Sequence, residues 1–144
     1  MAHTYKLGLG RKLINAFAKP AIRLGLAPKG SHLLTTVGRK SGEHHTTPVH
    51  IVERDGQRYL VAPYGVQPWV LNARAAGEVT LARGRRSTEY GITEVDAAEA
   101  APVLRDYVKQ IPVVRPFFDA AKDAPVAEFE REANRHPVFR LTAR

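Results

Sequence analysis

The sequence predicts a small α+β barrel of five or six mostly antiparallel strands, with helices before, between and after them. Three observations lead there. Short β-prone runs alternate between apolar and polar residues, glycine-centred turns join several of them, and helical periodicity comes in isolated stretches rather than after every strand. A doubly wound parallel sheet would need a helix after each strand.

The N-terminal segment, residues 1–28, reads as an amphipathic helix over 5–26. Leu9, Leu13, Ile14, Phe17, Ala18, Ala21 and Ile22 share one face, Arg11, Lys12, Lys19 and Arg23 lie mostly elsewhere, and Pro20 kinks or splits it. Such a helix packs on the domain or lies on an anionic membrane surface.

Strands follow at Ser31–Val37 and 46–53, joined by the turn 38–43, with Val49 and Ile51 on one face and His50 and Val52 on the other. Asp55-Gly56 supplies the positive φ of a tight hairpin, and 58–62 returns as a third strand. A loop over 63–67 leads into a short helix, 69–76, with Pro68 near its first turn and Gly77 just past its end. Glu78–Arg83 and 87–95 form two more strands around the basic turn at 83–86. Asp96 and Glu99 have capping-box spacing for a helix whose apolar face is Ala100, Leu104, Tyr107, Val108 and Ile111, with Pro102 arguing against its first turns. Pro112, Pro116 and Pro125 break the next stretch into short helices, and 138–141 closes as a strand.

At 144 residues the chain reads as one domain, 1–144. It has no cysteine, which excludes thiolate catalysis, cysteine-ligated metal and disulfides. No uninterrupted apolar signal or span is present near the start, so the expected location is the cytoplasm, with the peripheral membrane contact of the N-terminal helix as the alternative. The formal net charge of +8 calls for an anionic partner, a small polyanion, nucleic acid or lipid surface. The five Phe and five Tyr are dispersed rather than set out as a base-stacking platform, which argues against specific nucleic-acid recognition.

Gly8-Leu9-Gly10 has no preceding strand, and Leu33 stands where a phosphate loop ending in Gly38-Arg39-Lys40-Ser41 would need its first glycine, so neither nucleotide motif holds. The six histidines lack ligand spacing, no metal site is expected, and no Gly-x-Ser-x-Gly elbow supports a hydrolytic triad. What survives is distributed. The Gly38 to Gly42 turn combines freed backbone N–H groups, a guanidinium, an ammonium and a hydroxyl, which suits an anion as well as it suits a soluble hairpin. Thr47-Pro48-Val49 opens the next strand, Ala62-Pro63-Tyr64-Gly65 ends another, and Pro68-Trp69 begins the helix. Where these loops converge, Trp69 offers an apolar face for a planar ligand and the strand backbones offer in-plane hydrogen bonds.

Leu33-Leu34-Thr35-Thr36-Val37-Gly38-Arg39-Lys40-Ser41-Gly42, then Thr47-Pro48-Val49, Tyr59-Leu60-Val61-Ala62 and Trp69-Val70-Leu71-Asn72, resemble the deazaflavin-dependent nitroreductase and F420H2-dependent quinone reductase family over roughly 31–95. The resemblance implies a split β-barrel like that of FMN-binding proteins, coenzyme F420 (8-hydroxy-5-deazaflavin) as hydride donor, and an actinobacterial distribution. It implies that Arg39, Lys40 and Ser41, with His45, hold the coenzyme phosphate and that Thr47, Pro48 and Val49 run past the ring. Ala62, Pro63, Tyr64 and Gly65 form a second contact, and Pro68 and Trp69 flank the ring.

Nitroimidazole-activating relatives carry tyrosines in the part corresponding to 111–118, which has none here. A pocket of Ile111, Val114 and Phe117 instead favours a small hydrophobic acceptor, a quinone, enone or activated alkene, with Tyr64 or solvent as proton source and Tyr107 as a more distant candidate. The competing readings are an FMN- or haem-binding split barrel and a non-enzymatic basic anion-binding module. Oligomeric state is left open.

Overall fold

The computed structural model describes residues 30–144, so the expected helix over 5–26 lies outside the described residues. Six strands, β1 (Ser31–Val37), β2 (His44–Arg54), β3 (Gln57–Val61), β4 (Glu78–Arg83), β5 (Arg86–Glu94) and β6 (Val138–Ala143), close into a barrel in the order β1-β2-β3-β6-β5-β4. Every neighbouring pair is antiparallel. Among the described residues three α-helices accompany them: α1 (Pro68–Ala76), α2 (Ala97–Gln110) and α3 (Val126–Glu132). A 3-10 helix, Pro112–Phe117, follows α2, and a shorter one, Ala133–Arg135, follows α3.

Strand alternation builds two cores. Leu34, Ile51, Leu60, Val79, Leu81, Phe139 and Leu141 fill the barrel together with Val70 and Ala73 of α1. The next residues along the strands, Val52, Tyr59, Val61 and Val138, face outward and are covered by α2 and α3 through Ala101, Leu104, Val108 and Phe129. The expected split of Ile51 from Val52 is therefore realised with both sides buried.

Local chemistry sets the element ends. Asp55 (φ 51°) and Gly56 (φ 76°) are both left-handed, as a two-residue type I′ hairpin requires. Gly77 ends α1 at φ 72° and returns its N–H to the Ala73 carbonyl at 2.8 Å. Asp96 caps α2 by accepting the Glu99 N–H at 2.9 Å.

Some boundaries differ from the sequence reading. β2 starts two residues earlier than expected, because His44 and His45 pair with Val37 and Thr36 across the turn. β3 is shifted back by one residue, and Ala62 leaves the ladder to bond the Pro137 carbonyl at 2.8 Å. Pro102 sits within α2 without breaking it. The carbonyl it deprives of a partner belongs to Ala98, which is exposed to water at the helix start. Among the described residues no helix is long and apolar enough to cross a membrane.

Candidate functional site

The β1–β2 connection is closed by two backbone bonds, Gly42 N–H to Gly38 C=O at 2.9 Å and Gly38 N–H to Glu43 C=O at 2.7 Å. Ser41 Oγ accepts the Glu43 N–H at 3.1 Å. A Cβ at Gly38 would lie 2.6 Å from Ser41 Oγ, 3.2 Å from His45 Nε2 and 3.3 Å from the Glu43 carbonyl oxygen, so a side chain there would push the Ser41 hydroxyl from its place in the turn. Arg39, Lys40, Ser41 and His45 are exposed. The turn does not float, because the Arg39 backbone N–H and its Nη1 both donate to Asn72 Oδ1, at 3.1 and 2.9 Å. Asn72 is buried on α1, 33 residues away in sequence but in direct contact in space, so the cationic turn is tied to the helix that carries Pro68 and Trp69.

The first half of β2 supplies a polar edge. Residues 44–50 pair with β1, whereas β3 pairs only with 51–54. The bond from Ile51 N–H to Gly30 C=O sets the ladder phase, which places Leu33↔Pro48 at a non-hydrogen-bonded position. The backbones of Thr46, Pro48 and His50 therefore point away from β1, toward the side where the β3 ladder has ended. Pro48 is tolerated because its missing N–H would have faced that side. Thr47, Pro48 and Val49 are half-buried, and Val49 packs against the barrel core. On the β1 side, Thr36 is buried and its Oγ1 has no hydrogen-bond partner among the described residues.

The β3–α1 loop is held from behind. Ala62 and Pro63 are buried, Gly65 is left-handed at φ 87°, and the Tyr64 carbonyl accepts from Gln67 Nε2 at 3.2 Å. His136 Nδ1 lies 2.8 Å from the Pro63 carbonyl. That carbonyl can only accept, so Nδ1 carries a proton. His136 Nε2 lies 3.0 Å from Glu132 Oε1, and Phe118 stacks on the ring at 3.9 Å. The Glu132 carboxylate, itself buried, also accepts the N–H groups of Asp119 (3.1 Å) and Ala120 (2.7 Å). Burial lowers the His136 pKa below 6.5, against the opposing pull of Glu132 and the Pro63 carbonyl.

The aromatic residues divide. Trp69 is half-buried, with its ring tilted 56° against Phe139 at 6.2 Å, so it anchors the barrel while keeping part of its surface open. Tyr64 is half-buried with its ring edge-on to Phe117, 4.9 Å between centroids. Ile111 is half-buried, whereas Val114 is 1% exposed and belongs to the outer core. Tyr107 is also buried there, edge-on to His50 at 6.0 Å.

The structure thus brings the 38–42 turn to α1, Tyr64 to Phe117, and Pro63 to the C-terminal segment. Three contributors were not singled out from sequence. Asn72 had a visible signal, a polar side chain beside Val70 and Ala73 on the buried face of a short helix. Glu132 and His136 stand one helical turn apart, but nothing local showed that their partner is Pro63.

These features fit a planar anionic group: a cationic turn for a phosphate, and, among the described residues, a strand edge without a partner for ring hydrogen bonds and a hydroxyl on β1 without one. A family model, F420H(2)-dependent quinone reductase, matches residues 13–117. Among solved structures, an F420-H2 dependent reductase (FDR-A) is 26% identical, with 78% of this chain and 94% of that chain covered at a TM-score of 0.53. A domain-swapped dimer is 19% identical, covering 92% and 98% at 0.55. The haem storage protein HutZ of Vibrio cholerae is 10% identical, covering 88% and 90% at 0.57, and shares the fold.

Proposed function

The chain belongs to the F420H(2)-dependent quinone reductase family, and we propose that, as an F420-dependent oxidoreductase, it reduces a hydrophobic, electron-poor acceptor such as a quinone, enone or activated alkene. When bound, the reduced deazaflavin supplies the hydride, and a proton completes the two-electron reduction. The protein binds, orients and shields; it needs no nucleophile of its own.

This reading rests on the pair of hydrogen bonds from Arg39 to Asn72, which fixes a cationic turn to the helix bearing Trp69 while the adjoining edge of β2 has no strand partner among the described residues. On this reading Arg39, Lys40 and Ser41, with His45, hold the coenzyme phosphate. The backbone of Thr47, Pro48 and Val49 runs along the ring edge, Ala62, Pro63, Tyr64 and Gly65 contact it from the β3–α1 loop, and Pro68 and Trp69 flank it. Tyr64, whose ring stands edge-on to Phe117, or solvent supplies the proton. Ile111 and Phe117 line the approach of the acceptor, and Val114 backs them from the core.

Fluorescence titration with F420 tests the phosphate assignment. Arg39→Ala and Lys40→Ala each remove a charge-assisted contact of about 1.5–3 kcal/mol, roughly tenfold or more in affinity. Wild-type affinity in both variants would falsify the assignment.

A further inference from the structure

The barrel has a second end, and its chemistry differs from that of the first. α1 packs into the barrel beside the end of β1 and the start of β4. At the opposite mouth, strand alternation turns cations inward: His32 on β1 shares its face with Leu34, Arg58 on β3 with Leu60, Arg83 on β4 with Leu81, and Arg86 on β5 with Tyr90. Together with Arg85 at the hairpin tip they line a cavity of about 560 Å³. Arginines that merely keep a hairpin soluble point outward; these face a concave space.

The cluster is poorly neutralised. Arg83 and Arg86 are directly opposed across the β4–β5 ladder, a like-charge pairing that costs stability. Among the described residues Arg58 Nη1 donates to Tyr90 Oη at 2.6 Å and Arg83 Nη1 to the Ser31 carbonyl at 2.9 Å, and both of these acceptors are neutral. The Glu53 carboxylate lies 3.7 Å from Arg58 Nε and is largely exposed, while that Nε is buried without a hydrogen bond among the described residues. The first 42 residues contain no Asp or Glu, so the segment outside the described residues brings no carboxylate. Burial lowers the His32 pKa; a bond to the Gly30 carbonyl opposes this, and the charges of Arg58, Arg83 and His50 add to the lowering.

We propose that this mouth binds a compact multivalent oxyanion, of the diphosphate or phosphorylated small-molecule class, at a site separate from that for the coenzyme. The forked guanidinium groups suit phosphate oxygens, and Leu81 and Tyr90 give the cavity an apolar floor. It lies at the far end of β1 from the Arg39 turn, about 20 Å for a seven-residue strand. An anion seated there would offset the field on His32, giving a reporter that the Arg39 turn does not share.

Inorganic pyrophosphate is the probe, titrated at fixed ionic strength by calorimetry and by the imidazole resonances of His32. Expected are saturable binding, a rise in the His32 pKa, and at least a tenfold loss of affinity in the exposed-residue variant Arg85→Ala/Arg86→Ala, checked for folding by circular dichroism. The Arg39→Ala/Lys40→Ala variant should retain the His32 response. The proposal is overturned if pyrophosphate leaves His32 unmoved, if the hairpin variant binds as the wild type does, or if the protein binds phosphatidylglycerol vesicles through these arginines but not free pyrophosphate. F420 affinity is measured in parallel and should not change in the hairpin variant.

Discussion

Replacing Asn72 by alanine removes the acceptor of two Arg39 bonds at once, from the backbone N–H at 3.1 Å and from Nη1 at 2.9 Å. A neutral bond contributes about 1 kcal/mol and a charge-assisted one about 1.5–3. Arg39 is exposed, so water takes over part of both, and a net loss of about 2 kcal/mol is expected. For a chain of this length that corresponds to about 6 °C in Tm.

Coenzyme affinity should fall separately. Without the tie, binding must immobilise a long side chain at a cost of about 1 kcal/mol, or roughly fivefold in Kd. Asn72→Asp separates the two effects. It keeps the acceptor, so the melt should shift less, but its carboxylate neutralises Arg39 and repels the phosphate proposed to bind there, so affinity should fall further than in the alanine variant. Thermal melts followed by circular dichroism and F420 fluorescence titration read both quantities. If Asn72→Ala melts and binds like the wild type, the tie does not organise the site.

His136→Ala should destabilise the fold by about 3 kcal/mol in chemical denaturation, because the buried Glu132 carboxylate loses its imidazole partner and keeps two backbone donors and a longer ion pair to the half-exposed Arg135 at 3.5 Å. A loss below about 1 kcal/mol would mean that the pair is not coupled as its geometry indicates. Stability should also fall on mild acidification. His32 has a folded pKa below 6.5, so between that value and 6.5 the unfolded chain binds more protons than the folded one. The resulting contribution is fully present above 6.5 and declines as pH drops through the window. Melts from pH 7.5 down to pH 5, both chosen to bracket that window, should show this decline, with a smaller slope in His32→Gln; an identical slope in both proteins would refute the assignment.

Much of the barrel was legible because its signals are local. The Asp55-Gly56 turn, the Gly77 helix end, the Asp96 cap and the two-residue alternation of each strand depend on residues within a few positions of one another. Boundaries moved by one or two residues where pairing across the sheet extended or shortened a strand, as at His44 and Ala62. Pro102 misled because its cost depends on whether the deprived carbonyl reaches water, a property of position rather than sequence.

By itself the sequence determined the chemistry available: a basic, cysteine-free chain with a cationic glycine turn, a proline in the following strand and a tryptophan at the start of a helix. Tertiary structure decided which of these meet. The pairings β1·β4, β3·β6 and β5·β6 that close the barrel join segments far apart in the chain, and only their closure sets Asn72 against Arg39, His136 against Pro63, and Arg58 beside the Arg83–Arg86 hairpin. Alternation along one strand says that residues share a face, but which face encloses the barrel and which mouth remains open follows from closing the sheet.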